Sequence, residues 1–267
     1  MKKMLKYINI YYIYIMNIDI RKANRLGNFI IQIKHAIYMG LFYKYNIILP
    51  KHSFFNTTYL VINKKITLKD KKITNKHNFF YKYKIKNIDK TLFDQNKDEV
   101  ITIMKKIFVY NNIPPLGNND LVIHIRSGDI FKKNPHKKYL TPPLSYYTNI
   151  IEKNSYDNIY LISEDKLNPC INRLLELFPK IIFNLQSLKK DIKIILGANN
   201  LVMSYGTFIP QLLNFSSNIK NIYRPSYAKF IIKHTGTVHI TDLKEYYTLM
   251  IPWKNTPAQQ NIMLNYK

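Results

Sequence analysis

The chain has 267 residues, of which 46% are hydrophobic, a content that supports a folded core and excludes an intrinsically disordered chain. Lysine and arginine total 41 against 16 acidic residues, which gives a formal net charge of +25 at pH 7. The single cysteine, Cys170, excludes an intramolecular disulfide and fits a reducing compartment.

The positive charge has two explanations. Basic chains bind nucleic acids, anionic membrane surfaces or polyanionic substrates. Here, however, the lysines are scattered from Lys2 to Lys267, and lysine, asparagine, isoleucine and tyrosine are abundant together, as A/T-rich coding DNA would produce. We attribute the positive charge mainly to this mutational bias and expect no specific nucleic-acid partner. Part of the charge would still help to retain a nucleotide diphosphate.

The amino terminus begins with a basic segment, residues 1–6, followed by a largely apolar one, residues 7–20. Polar residues interrupt the apolar segment at Asn9, Asn17 and Asp19, and no small-residue cleavage site follows, so a signal peptide is not expected. The segment is also shorter than the ~20 apolar residues of a membrane-spanning helix. We expect a strand there, no transmembrane segment in the chain, and a cytoplasmic location, which would be the host cytoplasm if the source is a virus.

The first predicted elements form a β-α-β unit. Isoleucine and tyrosine between residues 8 and 20 favour a strand, apolar residues recur at helical spacing across residues 29–42, and residues 46–50 predict the next strand. Gly27 permits a tight strand-to-helix turn, and backbone amides near Gly27 and Asn28 would favour an anion at the start of the helix. An ordinary capped helix is the alternative for these residues.

The second half of the chain predicts a parallel sheet. Residues 91–110 look helical, and the segment 111–120, which contains two prolines and a glycine, is the best candidate for a linker. After the linker, predicted strands alternate with predicted helices, which indicates crossover connections between parallel strands. The strands lie near residues 121–125, 158–163, 181–184 and 200–204, and the helices near residues 143–153, 166–178, 188–197 and 208–216.

The most informative segment is Leu121-Val-Ile-His-Ile-Arg-Ser-Gly-Asp129. Its apolar start predicts a buried strand, and ligands of open α/β sheets sit beyond the carboxyl ends of the strands. His124, Arg126 and Asp129 would therefore face a ligand, and an arginine at that position suits a phosphate group. A salt bridge between Arg126 and Asp129 that merely caps the strand is the alternative.

Further polar residues follow two later predicted strands. Glu164 and Asp165 come directly after the strand near residues 158–163. Ser204 and Thr207 lie in a polar turn that opens the last predicted helix. Taken alone, Glu164 and Asp165 fit an N-terminal helix cap as well as they fit a ligand site.

The pattern His-x-Arg-x-Gly-Asp at the end of a strand resembles the signature of the metal-independent fucosyltransferases that use GDP-fucose. In that superfamily the arginine binds the β-phosphate of the donor. Leu26, Gly27 and Asn28 match part of the Gly-Gly-Leu-Gly-Asn-Gln opening of the α1,2-fucosyltransferases. The likeness covers roughly residues 20–225, and it is closest to the α1,2 branch rather than to the α1,6- or protein O-fucosyltransferases.

The chain departs from the family pattern in two places. Asn24 and Arg25 stand where the family has two glycines, and Phe29 replaces the first glutamine. Ile209-Pro210 stand where the family usually has a further serine, which leaves open the identity of the phosphate-binding hydroxyl.

The resemblance implies a GT-B-like α/β fold, in which two Rossmann-like halves face a cleft. Residues 1–115 would form an acceptor-side domain, residues 116–235 the domain that binds the nucleotide sugar, and residues 236–267 a tail that packs back. Arg126 and Asp129 would be catalytic. The implied donor-binding residues are Gly27, Asn28, His124, Arg126, Glu164, Asp165, Asp191, Ser204 and Thr207. On that resemblance Glu164, Asp165 and Asp191 would face the nucleoside, and Ser204 and Thr207 the diphosphate.

The implied activity is an inverting transfer of fucose from GDP-fucose to a hydroxyl of a glycan or a protein. None of the 16 acidic residues forms the Asp-x-Asp pair that holds a metal in many glycosyltransferases, so we expect no metal, and no cofactor besides the donor substrate. Asp19, Asp98 and Glu99 are candidates for the base that activates the acceptor. The alternatives are a transferase for another nucleotide sugar, a degenerate carbohydrate- or nucleotide-binding protein, and a nucleic-acid-binding protein.

Overall fold

The computed structural model describes residues 17–20, 25–65, 96–110, 112–228 and 234–267. Several parts of the expectations above lie outside the described residues, namely residues 1–16 of the amino-terminal segment and first strand, Asn24, residues 91–95 of the helix that precedes the linker, and residue 111 of the linker. The chain divides into two compact units, Met1–Asn111 and Asn112–Lys267.

The described part of the first unit combines three short strands with two helices. In chain order these are β1 (Asn17–Asp19), α1 (Leu26–Tyr43), β2 (Asn46–Ile48), β3 (Tyr59–Leu60) and α2 (Lys97–Ile107). β1 pairs with β2 in parallel, and β3 pairs with β2 in the antiparallel direction. The predicted β-α-β unit is therefore confirmed, because α1 connects two parallel neighbours.

Helix α1 packs through the isoleucines that the sequence places at helical intervals. Ile30, Ile33 and Ile37 are at most 1% exposed. Near the end of the helix, a Cβ on Gly40 would lie 2.9 Å from the carbonyl oxygen of Tyr45. The absence of a side chain at Gly40 thus lets the chain turn tightly from α1 into β2.

The second unit is built from alternating strands and helices. In chain order they are β4 (Leu121–His124), a 3₁₀ helix (Gly128–Phe131), α3 (Leu144–Glu152), β5 (Ile159–Ile162), α4 (Pro169–Leu177), β6 (Ile181–Phe183), α5 (Leu188–Gly197), β7 (Asn200–Val202), α6 (Phe208–Leu212), a second 3₁₀ helix (Leu213–Phe215), β8 (Asn221–Pro225), β9 (Thr237–Thr241), α7 (Lys244–Met250) and α8 (Pro257–Asn265). The predicted alternation of strands and helices after the linker is confirmed.

The six strands of the second unit form one parallel sheet, in the order β6-β5-β4-β7-β8-β9. Counted within the unit, this is the order 3-2-1-4-5-6 of doubly wound, Rossmann-like sheets. Helices flank the sheet, so its central strands are covered and read as continuous apolar runs. Leu121, Ile123, Ile159 and Val202 are accordingly fully buried.

The last segment of the chain contributes to the sheet and core of the second unit. Residues 236–267, predicted as a tail that packs back, supply the edge strand β9 and the helices α7 and α8. Trp253 is 1% exposed, and its indole N–H donates a hydrogen bond to the Ile130 carbonyl oxygen at 2.7 Å. The segment is thus anchored beneath the loop that follows β4.

Of the helices in the parts of the chain that the structure describes, none combines the length and the apolar composition needed to cross a membrane.

Candidate functional site

The strand order of the second unit reverses between β4 and β7, which are neighbours in the sheet. At such a reversal the crossover helices leave on opposite faces, and ligands bind beyond the carboxyl ends of the two strands. β4 ends at His124 and β7 at Val202, so Arg126 and residues 204–207 follow directly. The two loops meet, because the Nη1 atom of Arg126 lies 3.5 Å from the carbonyl oxygen of Tyr205.

The Arg126 guanidinium is largely buried and incompletely paired. Its side chain is 13% exposed, and its Nη2 atom lies 3.4 Å from each carboxylate oxygen of Asp129. The Nε atom is buried and has no hydrogen-bond partner among the described residues. The salt bridge considered above is therefore present, but it is long and leaves donors unused. A buried cation in this state is a candidate for binding an anion.

Aromatic rings hold the guanidinium in place from one side. The Arg126 Cζ atom lies 4.6 Å from the centroid of the Tyr139 ring, a cation–π contact. The His136 ring stacks on Tyr139 with the two centroids 4.0 Å apart. Because the loop after β7 approaches as well, Arg126 has little freedom to change rotamer. A Cβ on Gly206 would lie 3.1 Å from Nη1, so a glycine there lets the backbone approach the arginine.

One carboxylate oxygen of Asp165 organises the loop that carries Arg126. It accepts three hydrogen bonds, from the Ser127 hydroxyl, from the Gly128 N–H at 3.3 Å and from the Leu167 N–H at 2.9 Å. Asp165, predicted to face the nucleoside, thus joins the loops after β4 and β5. Asp165 does not cap α4, because the N-cap of that helix is Asn168 and the Leu167 N–H precedes it.

The amide of Asn168 completes this network from within the core. Asn168 is fully buried, and its Nδ2 group donates to the Arg126 carbonyl oxygen at 3.0 Å. Its Oδ1 atom caps helix α4 by accepting from the Cys170 N–H at 3.0 Å, and its N–H donates to the Ser127 hydroxyl at 3.0 Å. The backbone at Arg126 is therefore positioned by a side chain on the neighbouring loop.

Gly128 is required at its position for two reasons. Its φ of +65° lies in the left-handed region, which disfavours residues with a Cβ. In addition, a Cβ there would lie 2.0 Å from the Oε1 atom of Glu164. The Gly of the His-x-Arg-x-Gly-Asp pattern therefore allows the acidic pair after β5 to pack over the loop.

The substitution Gly128→Ala is expected to lower the free energy of unfolding by about 1–3 kcal/mol, through backbone strain and the clash with Glu164. In a Glu164→Ala background the clash disappears and only the strain, about 1–2 kcal/mol, remains. Urea unfolding of the wild-type chain, of the two single variants Gly128→Ala and Glu164→Ala, and of the double variant measures both losses. An identical loss in the two backgrounds would show that the carboxylate does not restrict this position.

His124 ends β4 as a neutral, half-buried ring. Burial, with a smaller contribution from the positive charge of Arg126, lowers the pKa of His124 from 6.5 to about 3. The ring packs against Phe208 with the centroids 5.6 Å apart. Its Nδ1 atom is buried and has no hydrogen-bond partner among the described residues. A neutral imidazole can offer one donor and one acceptor to a bound nucleotide.

The lowered pKa of His124 predicts a pH-dependent stability. Between pH 6.5 and about 3 the unfolded chain binds a proton at His124 that the folded chain does not. The contribution of His124 to the free energy of unfolding is therefore complete above pH 6.5, and below that pH it falls by ~1.4 kcal/mol per pH unit. Urea unfolding at pH 4.5, 5.5 and 6.5 should show a shallower slope for His124→Gln, since all other titrating groups are common to both chains. Parallel slopes would contradict this assignment.

The hydroxyl groups near the ends of β5 and β7 differ in accessibility. Ser204 is 2% exposed, and its hydroxyl approaches that of the buried Tyr147 without forming a well-aligned hydrogen bond. Ser163, which follows β5, is 7% exposed and its Oγ atom has no partner among the described residues. Thr207 is half-buried at the start of α6 and does not cap that helix with its side chain. Thr207 is therefore better placed than Ser204 to meet a ligand.

The remaining predicted acids occupy different places. Glu164 is exposed and its carboxylate lies over Gly128, within the Arg126 site. Asp191 lies in the first turn of α5 and is 9% exposed, and burial raises its pKa against the opposing effect of a hydrogen bond with Gln186. Its placement beside the nucleoside stays a prediction. Within the described ranges, no three or more His, Cys, Asp or Glu side chains are grouped so that they could hold a metal ion.

Two predicted donor-binding residues belong to the first unit. Gly27 and Asn28 lie in the first turn of α1, where Gly27 is buried and Asn28 is half-buried. Asp98 and Glu99 are exposed in the first turn of α2, and Asp19 ends β1 half-buried. The roles assigned to these five residues stay predictions.

Several residues of the site were not found from the sequence. Asn168, Tyr139 and Ser163 contact or adjoin the Arg126 loop. Asn168 and Ser163 lie in segments predicted as ordinary helix and strand, and Tyr139 lies between predicted elements, in a segment that resembles the fucosyltransferases but for which no site residue was named. The Asn168-Pro169 pair did carry a signal, because asparagine before proline is a frequent helix start. Nothing in the sequence indicated that the same asparagine also reaches the backbone of Arg126.

Comparison of the sequence with models of known protein families finds no match, and comparison with characterised proteins finds no significant similarity. Function therefore has to be inferred from the motif resemblance and from the geometry of the site.

Proposed function

We propose that this protein is a glycosyltransferase that transfers fucose from GDP-fucose to a hydroxyl of a glycan or a protein, with inversion and without a metal. The observation that carries the proposal is the underpaired, largely buried guanidinium of Arg126 at the point where the sheet order reverses. A planar, permanently charged group in such a place suits a diphosphate, which it can bind with two parallel hydrogen bonds.

Breaking the bond between the sugar and the diphosphate creates negative charge on the departing phosphate oxygen. A cation that is fixed before the reaction stabilises that charge without having to reorganise. Arg126 would supply the cation, and Asp129, 3.4 Å from Nη2, would orient it. The half-buried, neutral ring of His124 would contact the nucleotide, and Thr207 with the backbone at Gly206 would add donors to the phosphates.

Inversion requires the acceptor hydroxyl to attack the anomeric carbon from the side opposite the diphosphate while a base removes its proton. In the proposed GT-B-like arrangement the first unit would supply this base, and Asp19, Asp98 and Glu99 are the candidates. Gly27 and Asn28 would contribute backbone amides to the diphosphate at the start of α1.

Two alternatives have observations in their favour. The underpaired guanidinium of Arg126 indicates a diphosphate and carries no information on the sugar. It is therefore equally compatible with a transferase for another GDP- or UDP-sugar. The burial of Ser204 and the replacement of the family's serine by Ile209-Pro210 favour a degenerate carbohydrate- or nucleotide-binding protein.

A thermal-shift screen of the full chain separates these possibilities. GDP-fucose at about 100 times its Kd should stabilise the protein by about 2.7 kcal/mol, and GDP-mannose, UDP-sugars and oligonucleotides should stabilise it less. Release of labelled sugar from GDP-fucose then distinguishes an enzyme from a binding protein. Stabilisation by oligonucleotides alone, or by none of the nucleotide sugars, would overturn the proposal.

A further inference from the structure

A basic loop adjoins the Arg126 site. Residues 132–138, which we call the lysine loop, contain no acidic residue. The loop begins directly after the 3₁₀ helix that contains Asp129 and ends beside Tyr139, whose ring packs on Arg126. It therefore presents its charge at the rim of the site. Its four lysines, all exposed, are Lys132, Lys133, Lys137 and Lys138.

Both ends of the lysine loop are fixed by the carboxyl-terminal segment. The Trp253 backbone N–H donates to the Lys137 carbonyl oxygen at 2.9 Å, and the Trp253 indole N–H donates to that of Ile130 at 2.7 Å. Asn255 Nδ2 donates to the carbonyl oxygen of Phe131 at 2.7 Å. Because the backbone of the loop is anchored, the four lysines start from fixed positions on one short segment, and an anion bound among them would relieve their mutual repulsion.

A row of aromatic rings, which we call the tyrosine strip, leads from the lysine loop across the site. It consists of the half-buried Tyr139, Tyr205 and Tyr247 and of Tyr227, a core residue that links Tyr205 to Tyr247; the ring centroids of Tyr139–Tyr205, Tyr205–Tyr227 and Tyr227–Tyr247 are 5.6, 6.1 and 4.9 Å apart. Burial, reinforced by neighbouring tyrosines, raises the pKa of Tyr205, so its phenol remains a hydrogen-bond donor. Aromatic faces pack against the apolar C–H faces of sugar rings, and phenols hydrogen-bond with sugar hydroxyls.

We propose that the lysine loop and the tyrosine strip bind the acceptor, and that this acceptor is an acidic oligosaccharide bearing carboxylate or sulphate groups. The inference rests on the proposed function, because a transferase must hold its acceptor beside the arginine that binds the diphosphate. The lysines contact the acidic groups, the half-buried rings of Tyr205 and Tyr247 contact the sugar rings, and Arg126 is left for the donor.

The test is a calorimetric titration of the full chain with four probes. These are the sulphated chondroitin hexasaccharide, the unsulphated chondroitin hexasaccharide, which retains its carboxylates, the neutral chitohexaose, and a thymidine hexanucleotide. The loop variant carries Lys132→Gln, Lys133→Gln, Lys137→Gln and Lys138→Gln. A control variant with the same net charge carries four substitutions at exposed positions elsewhere in the second unit, Lys153→Gln, Lys193→Gln, Lys220→Gln and Lys267→Gln.

The wild-type chain should bind the acidic hexasaccharides at least about tenfold more tightly than chitohexaose, since several rim charges act together. The loop variant should lose at least about tenfold in affinity for them, and the control variant less than about threefold. Equal losses in both variants, equal or tighter binding of chitohexaose, or no binding of any hexasaccharide would overturn the inference. Tighter, loop-dependent binding of the hexanucleotide would overturn it in favour of a nucleic-acid surface.

Turnover of GDP-fucose by the wild-type chain is measured separately, so the two proposals can fail independently. If GDP-fucose is neither bound nor cleaved while loop-dependent binding of acidic hexasaccharides persists, the proposed function fails and the carbohydrate-binding surface stands. If GDP-fucose is cleaved but acidic and neutral hexasaccharides bind equally, the proposed function stands and the acceptor class is wrong.

Discussion

Replacing Arg126 with alanine is expected to lower kcat/KM for sugar transfer at least about a thousandfold, because the fixed cation opposite the departing diphosphate is lost. The variant should still fold, since the guanidinium makes only long hydrogen bonds, at 3.4 Å to Asp129 and 3.5 Å to Tyr205, besides its contact with the Tyr139 ring. Steady-state kinetics with labelled GDP-fucose measures the first effect, and urea unfolding the second.

Two further variants make the result specific to this guanidinium. Arg126→Lys keeps a charge but loses the planar pair of donors, so it should retain more activity than Arg126→Ala and less than the wild type. Arg173→Ala removes an arginine that is paired with Glu176 on the exposed side of α4, and it should leave kcat/KM unchanged. Activity of Arg126→Ala close to that of the wild-type chain would exclude the role assigned to this residue.

Replacing Trp253 with alanine is expected to lower the free energy of unfolding of the second unit by about 3–5 kcal/mol, which corresponds to a fall in Tm of about 10 °C or more. The indole is 1% exposed, donates to the Ile130 carbonyl oxygen and packs edge-on against Phe131. Its loss leaves both a cavity and an unpaired carbonyl group beside the Arg126 loop.

Circular dichroism is the suitable probe for this experiment, because Trp253 is the only tryptophan of the chain and its fluorescence disappears with the substitution. Leu249→Ala serves as the control, since Leu249 lies on the neighbouring helix α7 and is 60% exposed. Its effect should stay below about 0.5 kcal/mol. Equal stabilities of the two variants would contradict the anchoring role of Trp253.

The parallel sheet could be predicted from the sequence because its strands are apolar and short and are separated by segments of helical periodicity. The start of β4 at Leu121 and the placement of Arg126 beyond its carboxyl end both follow from that pattern. Neither β8 nor β9 was predicted. β9 is an exposed edge strand that lacks the apolar run of a covered one, as Thr237, His239 and Ile240 show.

The hydrogen-bond network of the site lay beyond prediction for a different reason. Asp165 and Asn168 reach Ser127, Gly128 and the Arg126 carbonyl oxygen across about 40 residues of sequence, and no local pattern encodes such contacts. The sequence could place these side chains at the correct edge of the sheet. Which of them would meet a ligand, and which would brace a loop, depends on packing.

The most direct test of a diphosphate site at Arg126 is a calorimetric comparison of GDP and GMP binding to the wild-type chain and to Arg126→Met. A bidentate, charge-assisted contact with the second phosphate predicts that the substitution weakens GDP binding about a hundredfold. The affinity for GMP, which lacks that phosphate, should change less than about fivefold. Equal losses for the two nucleotides, or no loss for either, would contradict the assignment.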